Sequence, residues 1–464
     1  MPEKVFDCVV IGSGVGGSCA AAMMAHYGYK VLLAEKRANL GGRFSTMEID
    51  GFKCPTGALI VTRGTELEKT FKVTGAEFDI VKAAQVSWKI GDTVYPVSGP
   101  GALKTLWSLF TKLPPRLYRY AFMSTLRLFG AMGEILFFKF LNLFRKEEDY
   151  VYRRHEENPV TFREWIERYT DDKVVIQSVH AFISALFSAI NDFECPASDV
   201  FAFGASMANP FKPHTFGFAR HGNVELMKSL ARVVTQKGGE VMTETEVKEI
   251  KISNGVATGV VLVGPQGEFE VAAKTVISNA GPSATMNMVG ERHYPEPYVR
   301  KLKQTLRPAP IVMGNIASDV PLIDHKGLVV ITGTKTIVGA VNLTYHTRDV
   351  APEGQHLLWT FATPATCTSK IDKEMEIRHH MEDLETAFPL FKQHGRVLDL
   401  MVKDIDDDLP CLRTWPGYDM PVTTPIPNLF NVGDGVKDFG WTGCPACAKS
   451  AWKVVKKIRR DYPL

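Results

Sequence analysis

The sequence predicts an α/β fold: a doubly wound, mostly parallel sheet with a second, α+β domain inserted into it. Three observations lead to this prediction: a glycine loop between an apolar strand and a helix at 12–17, a helix followed by strands after position 216, and a strand ending in Gly-Asp-Gly at 433–435. A chain of 464 residues is also longer than one hydrophobic core usually supports, so we expect at least two domains.

The first stretch has the order of elements that a βαβ nucleotide site requires. Phe6 to Ile11 is a short apolar run, Ser18 to Tyr27 is rich in alanine, and the loop between them reads Gly12-Ser13-Gly14-Val15-Gly16-Gly17. The first glycine permits a tight turn, the second lets the backbone approach a pyrophosphate, and Gly17 lets the helix pack on the strand. The helix N-terminus offers free N–H groups and a partial positive charge to the phosphates.

Glu35 supplies the acid that such a site places after its second strand. It follows the apolar run from Tyr29 to Ala34 and lies 18 positions beyond Gly17. A carboxylate here can accept hydrogen bonds from the ribose hydroxyls of adenosine and would repel a 2′-phosphate. These features predict a Rossmann-type dinucleotide site, but they do not distinguish FAD from NAD.

The residues after Glu35 make that distinction. Beyond Lys36, which we take as a further cofactor-binding residue, the chain reaches Gly41-Gly42-Arg43. A Gly-Gly-Arg shortly after the ribose acid resembles the flavoenzymes of the amine oxidase, protoporphyrinogen oxidase and phytoene desaturase superfamily. The resemblance implies that FAD is the cofactor, that the two glycines let the backbone approach it, and that Arg43 reaches its phosphates.

A middle segment is similar to the same superfamily. Val224 to Gln236 has apolar residues at helical spacing, strands follow, and one strand ends in Asn279-Ala280-Gly281-Pro282. The resemblance implies that the backbone at Val247 holds the adenine and that Asn279 and Ala280 lie near the pyrophosphate.

The last segment completes the resemblance. An apolar strand leads to Gly433-Asp434-Gly435, and Gly443, Cys444 and Pro445 then begin a helix. Asp434 is implied to bond ribityl or pyrophosphate-side groups. The N-terminus of the helix is implied to point at the pyrimidine end of the flavin, where its dipole stabilises negative charge on the reduced ring.

Together these segments predict a doubly wound Rossmann-type FAD-binding domain with an inserted α+β substrate domain. The FAD-binding segments are 1–80, 215–300 and 415–464, and the substrate-domain segments are 81–214 and 301–414. Within the insert, Phe201 to Phe211 carries glycine and proline and is predicted to be a loop that lines a pocket. One departure precedes the insert: relatives of the phytoene desaturase type usually have an acid where this chain has Pro55.

The segment 102–146 is aromatic and basic, with eight Lys or Arg residues and one acid, Glu134, which gives a local charge of +8 − 1 = +7. Its two apolar halves are separated by Pro114-Pro115 and are predicted to be helical. One interpretation is a helix pair lying in a membrane interface, with cations on anionic head groups. The other is a helical cap over the active site with a solvated basic face. Both suit an apolar or lipid substrate.

The composition excludes several other classes of protein. A net charge of +3 does not favour nucleic acid as a partner. The 8 cysteines are scattered and predict neither a metal site nor a disulfide framework. No export signal and no spanning segment is recognised, so we expect a cytoplasmic protein, with peripheral contact to the inner face of the membrane as an option. The sequence does not indicate the oligomeric state.

The resemblance implies an FAD-dependent oxidoreductase that acts on C–C or C=C bonds of an apolar isoprenoid-like or acyl substrate by hydride transfer to flavin N5. Desaturation is the first expectation, and saturation and isomerisation use the same parts. The alternatives are an amine or protoporphyrinogen-type oxidase and a non-enzymatic lipid-carrying relative. The sequence singles out no catalytic residue. His221 with Arg220 is considered as a base and Cys444 with Cys447 as a redox pair, but a hydrogen-bonding role and a cofactor-segment role are favoured for them.

Overall fold

The computed structural model describes residues 5–83, 86–91, 93–97, 115, 118–145, 159–187, 191, 193–207, 214–306, 308–407, 411–412, 419–438 and 440–464. The helices are α1 Val15–His26, α2 Glu66–Thr74, α3 Tyr118–Arg145, α4 Phe162–Glu167, α5 Lys173–Phe187, α6 Ala197–Met207, α7 Asn223–Gln236, α8 Pro282–Val289, α9 Glu296–Thr305, α10 Lys373–Ala387, α11 Phe391–His394 and α12 Gly443–Asp461. The first half of the predicted helical insert, 102–114, lies outside the described residues.

The strands follow the same chain order. They are β1 Val5–Ile11, β2 Val31–Ala34, β3 Thr46–Ile49, β4 Phe52–Pro55, β5 Val61–Arg63, β6 Ile80–Lys82, β7 Val86–Ile90, β8 Thr93–Val97, β9 Thr215–Ala219, β10 Glu240–Met242, β11 Glu246–Ser253, β12 Val256–Gly264, β13 Gly267–Ser278, β14 Pro308–Ala309, β15 Ile311–Ser318, β16 Leu328–Ile331, β17 Ile337–Asn342, β18 His356–Ala362, β19 Gly395–Lys403, β20 Cys411–Leu412 and β21 Leu429–Asn431.

The first sheet confirms the doubly wound prediction. Its parallel part has the order β10-β2-β1-β13-β21, so strands from the start, middle and end of the chain lie side by side. The first half of β13 turns antiparallel to β12, which pairs with β11. Helix α1 contacts both α7 and α12. Its run Cys19 to Ala25 is fully buried, because small side chains allow such close packing.

The second sheet has seven strands in the order β19-β15-β18-β17-β16-β7-β8. Alternate residues of its strands enter two different cores, as the period of a strand requires. Trp359 and Phe361 on β18 belong to the core shared with helices α4 to α6, whereas Leu358 and Ala362 belong to the core covered by α10. This arrangement is the α+β domain that the sequence predicts.

Packing in the core of the first sheet can be compared with the predicted domain boundary at position 300. Helix α9 runs without a break through position 300, the predicted end of the second FAD-binding segment. Its residues Val299 and Leu302 pack in the core of the first sheet together with Leu306. The boundaries themselves stay predictions.

The prediction of a loop over Phe201 to Phe211 is wrong for residues 201–207, which belong to α6, and 208–211 lies outside the described residues. Phe201 is buried, and its ring packs against Trp165 of α4 with centroids 4.7 Å apart. Burial of this apolar face outweighs the helix-weakening effect of Gly204, which the sequence pattern overweighted.

Helix α4 begins with a capping box formed by Thr161 and Glu164. The Thr161 hydroxyl accepts from the Glu164 N–H at 3.2 Å, and the Glu164 carboxylate accepts from the Thr161 N–H at 2.8 Å. Thr161→Ala is expected to lower the free energy of unfolding by about 1 kcal/mol, because a helix N–H loses its partner. Denaturant unfolding measures this loss, and Glu167→Ala on the same helix is the control. An unchanged midpoint for Thr161→Ala would contradict the prediction.

Candidate functional site: the cofactor cradle

The glycine loop turns between β1 and α1 with almost no room for side chains. Gly12 has a φ of 83°, which is the left-handed conformation that glycine favours. A Cβ atom added at Gly17 would overlap the carbonyl oxygen of Gly12. The helix therefore packs directly on the turn that ends the strand, as predicted from the spacing.

Asn279 joins the three predicted cofactor segments. Its backbone N–H donates to the carbonyl of Ile11 at 2.8 Å, which ties the end of β13 to the end of β1. A Cβ atom at Gly16 would lie 2.6 Å from the Asn279 Oδ1 atom and 2.8 Å from the Gly433 nitrogen, and one at Gly14 would overlap the Asn279 amide. Residues from the start, middle and end of the chain thus meet at one point. The sequence predicted each segment but not this shared contact.

Glu35 is held at the end of β2 by the loop itself. Its Oε2 atom accepts from the Ser13 N–H at 2.8 Å and from the Ser13 hydroxyl at 2.6 Å, and its Oε1 atom accepts from the Arg37 N–H at 3.0 Å. Ser13 also accepts from the N–H of Gly41 at 2.9 Å. One buried hydroxyl therefore links the predicted ribose acid to the Gly-Gly-Arg segment.

Arg43 and Asp434 form an ion pair across the cradle. Their closest atoms, Nη2 and Oδ2, are 2.6 Å apart, and the two side chains are 27% and 12% exposed. They lie 391 positions apart in sequence. A partly buried, charge-assisted pair of this kind fixes the relative position of the first and third segments.

Two helix N-termini at the cradle lack the features that would satisfy their own N–H groups. Helix α1 starts after Gly14 and helix α12 after Thr442; neither cap residue makes a side-chain capping bond to its helix, and neither first turn contains an acid. Orphan N–H groups and the positive end of the helix dipole suit a diphosphate or an anionic flavin ring.

The remaining predicted cofactor residues occupy three further places. Val247 is buried in β11 beside a bulge, Ala280 and Lys36 are exposed, and Cys444 and Pro445 are buried in the first turn of α12. Their contacts with the cofactor stay predictions. The glycine contacts and the acid-free helix starts show that the cradle fits a dinucleotide such as FAD.

Comparison with known proteins identifies the family of the chain. The profile of the family "Flavin containing amine oxidoreductase" matches residues 15–458. The chain belongs to this family. Its cofactor is therefore FAD, and it is an FAD-dependent oxidoreductase. This assignment excludes the non-enzymatic lipid carrier.

Individual relatives of this amine oxidoreductase-family protein are distant. It is 25% identical over 460 residues to the uncharacterized protein MJ1488 of Methanocaldococcus jannaschii, covering 97% of this chain and 98% of the relative. It is 27% identical over 294 residues to a neurosporene-forming phytoene desaturase of Rhodobacter capsulatus (61% and 54% of the chains) and 25% identical over 394 residues to a chloroplastic prolycopene isomerase of Daucus carota (78% and 62%). The crystal structure of an oxidoreductase from Methanosarcina mazei matches with a TM-score of 0.76 at 24% identity, covering 97% and 99% of the chains.

Arg220 and His221, which the sequence analysis considers as a base, contact acidic side chains. Arg220 donates to Asp79 at 3.0 Å, and His221 lies against the carboxylates of Asp79 and Asp349, with 49% of its side chain exposed. The positions of Arg220 and His221 agree with a hydrogen-bonding role before α7 rather than with a catalytic base.

Cys444 and Cys447 are free thiols whose surroundings oppose redox chemistry. Burial raises the pKa of Cys444 to about 12 and that of Cys447 well above its usual value, with the nearby Asp434 adding to both shifts. A redox pair would need a depressed thiol pKa, and here burial outweighs the effect of the helix N-terminus.

Both thiols are expected to resist alkylation in the folded holoprotein near pH 8. The raised pKa of Cys444, about 12 instead of 9, leaves a thiolate fraction about 1,000-fold smaller than that of an ordinary thiol. Iodoacetamide labelling followed by peptide mass spectrometry checks this, with guanidinium-unfolded protein as the control for full labelling. Rapid labelling of native Cys444 would show that the thiol is accessible and ionised.

Proposed function

We propose that this FAD-dependent oxidoreductase acts on C–C or C=C bonds of an apolar, isoprenoid-like or acyl substrate, by desaturation, saturation or isomerisation. The observation that carries the proposal is the aromatic face of the second sheet. Trp88 of β7 and Trp359 and Phe361 of β18 are each at most 4% exposed, and they share one core with Phe218 of the neighbouring strand β9. Strands β15 and β18 of this sheet contact β4, which follows the Gly-Gly-Arg segment. An apolar wall beside the cradle suits a hydrocarbon better than a charged substrate.

The named relatives support the same class of reaction. One is a phytoene desaturase and another a prolycopene isomerase, although the aligned regions cover only 54% and 62% of their lengths. When bound, FAD supplies a two-electron acceptor for hydride. The chain's own contribution is to position the reacting C–H bond and to exclude water from it.

Anaerobic bleaching of the flavin tests the reaction. The yellow holoprotein is mixed without oxygen with phytoene carried in phosphatidylcholine vesicles, and the visible flavin band is followed. Reduction by this polyene, with a desaturated product detected by chromatography, is the expected result. If the reaction is an isomerisation, the flavin is oxidised again at the end. The lipid extract of the same mixture is therefore analysed for a cis–trans change in the polyene. No bleaching and no product with phytoene, other polyenes or acyl lipids would reject desaturation and isomerisation. Failure of the same lipids to reoxidise a flavin first reduced with dithionite would reject saturation.

A flavin oxidase acting on amines or porphyrinogens is the second candidate, because the family profile is that of amine oxidoreductases. Putrescine or protoporphyrinogen is then expected to reduce the flavin, and oxygen to reoxidise it with release of peroxide. A peroxide assay separates the candidates, since the first does not require oxygen as its acceptor.

Peripheral membrane contact is part of the proposed function, and the contact is expected through the exposed apolar face of helix α3. Five large apolar side chains on one face of this helix are more than half exposed: Phe122 (55%), Leu126 (51%), Phe129 (59%), Leu136 (64%) and Phe137 (58%). The other face packs on the protein, where Ala131 is buried and the Arg127 guanidinium lies 5.9 Å from the ring centre of Phe201. No helix among the described residues is long and apolar enough to cross a membrane.

The partner proposed for this face is an anionic bilayer. An amphipathic helix with bulky apolar residues on one side and cations beside them lies in the interfacial plane. The segment 102–146 has a charge of +8 − 1 = +7, and Arg119 is exposed near the start of the apolar face. An exposed apolar face within a basic segment would also place the enzyme where apolar substrates dissolve.

Vesicle sedimentation tests the membrane contact. The holoprotein is expected to bind phosphatidylcholine vesicles containing phosphatidylglycerol, less so at high salt. Phe129→Glu combined with Leu136→Glu is expected to reduce binding at least tenfold, because two charges would enter the apolar layer. Ile377→Glu, at an apolar residue 41% exposed on α10, is the matched control. Absence of wild-type binding, or equal loss in the control, would reject the membrane contact.

A further inference from the structure

Three polar side chains form a row across the second sheet near its contact with β4. Asn315 on β15 is the register partner of Trp359 on β18 and of Asp399 on β19. Directly opposed residues point to the same face of a sheet. That face belongs to the aromatic core, because Trp359 packs in it. We call these three residues the polar row.

The polar row is costly as it stands. Asn315 is 1% exposed and Trp359 is 2% exposed. The Asn315 Oδ1, Trp359 Nε1 and Asp399 Oδ2 atoms are buried without a hydrogen-bond partner among the described residues. Each such atom costs about 1–3 kcal/mol. Purely apolar side chains would avoid this cost, so the row needs a reason other than the stability of the sheet.

Asn315 reaches out of the sheet to the end of β4. Its Nδ2 atom donates to the carbonyl of Pro55 at 3.2 Å. The next residue, Thr56, donates its hydroxyl to the carbonyl of Gly42 at 2.9 Å, and a Cβ atom at Gly57 would overlap the carbonyl of Arg43. The turn that begins at Pro55 therefore rests on the Gly-Gly-Arg segment of the cofactor cradle.

A second buried amide holds the same turn at its other end. The Asn223 Nδ2 atom donates to the carbonyl of Ala58 at 2.8 Å and to that of Leu59 at 3.3 Å. Asn223 starts α7 in the first domain, whereas Asn315 belongs to the second sheet. The turn is thus fixed from both domains.

Asp399 supplies the charge beside this contact. Burial raises the pKa of Asp399, while the neighbouring Asn315 side chain and the charge of Lys403 oppose the rise. Asp399 also adds to the rise in the pKa of Cys54, next to Pro55, which burial raises to about 12. The proline at position 55 itself offers neither an N–H nor a carboxylate.

We propose that Asn315 and Asp399 are positioning residues for the turn 55–59. Asp399 lies opposite Asn315 in the register, and the Asn315 amide holds the turn against the cradle and hence against the FAD that the cradle binds. This inference rests on the FAD assignment and not on the proposed substrate. It assigns to residues of the second sheet a part in cofactor geometry that no cofactor motif contains.

The flavin itself reports on the proposal. Asn315→Leu is expected to weaken FAD binding about tenfold, as loss of about 1.4 kcal/mol would, and to shift the flavin absorption band and midpoint potential. Asp399→Asn keeps the size but removes the charge, and is expected to shift the same two signals. The matched control is Asn342→Leu, another buried asparagine, which is 1% exposed and pairs with Leu358 of the opposite core. Thermal unfolding of all variants separates lost stability from altered cofactor geometry.

The proposal is wrong if Asn315→Leu and Asn342→Leu lose similar stability and leave the flavin spectrum and potential as in the wild type. The role of Asp399 is rejected if Asp399→Asn leaves the flavin absorption band and the midpoint potential unchanged while Asn315→Leu shifts them. None of these readouts needs a substrate, so a failure to bleach the flavin with a polyene would leave them interpretable.

Discussion

Gly17→Ala is expected to yield a protein that purifies without FAD. The added methyl group would overlap the carbonyl oxygen of Gly12, which is backbone and cannot rotate away. The start of α1 would have to move off the end of β1, at a cost of about 1–3 kcal/mol or more. That movement would displace the N–H groups expected to bind the pyrophosphate. The flavin-to-protein absorbance ratio of the purified variant is expected to fall below about a tenth of the wild-type value.

Gly133→Ala provides the matched control for this substitution. It is also a helical glycine, but a Cβ atom there meets nothing within 4 Å. The variant is expected to keep its full flavin content and to gain up to about 1 kcal/mol, because alanine favours a helix over glycine. A fully yellow Gly17→Ala protein would show that the loop is not the cofactor cradle.

Arg43→Met is expected to weaken FAD binding about 10- to 100-fold. The substitution removes the ion pair with Asp434 and leaves that carboxylate, which is 12% exposed, without this partner. Loss of a charged hydrogen bond costs about 1.5–3 kcal/mol, which corresponds to this range. It also removes the cation expected to face the phosphates. Titration of the deflavinated protein with FAD, followed by fluorescence quenching, measures the change.

The ion pair between Arg396 and Asp50 gives the comparison. Its atoms are 2.7 Å apart, close to the separation in the Arg43 pair, but its side chains are 58% and 61% exposed. Arg396→Met is expected to leave FAD binding unchanged, since exposed pairs contribute little. Equal affinities for the two variants would remove Arg43 from the cofactor site.

The sequence predicted the parts of this protein that depend on local backbone demands. The glycine loop, the acid at Glu35 and the acid-free start of α12 each specify a turn or a helix terminus within a few residues. Their spacing was therefore enough to predict the fold class, and the family resemblance of the same residues was enough to predict the cofactor. The capping box at Thr161 is of the same local kind, because its two partners lie three positions apart.

Contacts between distant segments left no such signal. Asn315 and Pro55 are 260 positions apart, and neither residue type identifies the other as its partner. The meeting of Gly16 and Gly433 at Asn279 depends on three strands being neighbours in the sheet. The prediction of a loop over Phe201 failed because the local sequence favours a helix only weakly there. Packing against α4 stabilises the helix, and the sequence pattern does not show that packing.

The position of β13 has a consequence for biosynthesis. This strand lies between β1 and β21, so the parallel sheet remains incomplete until residues Leu429–Asn431 have been translated. One edge of β1 stays unpaired during synthesis until β13 has been made, and one edge of β13 until β21 has been made, and unpaired apolar edges favour aggregation. We therefore expect flavin binding to follow the synthesis of β21.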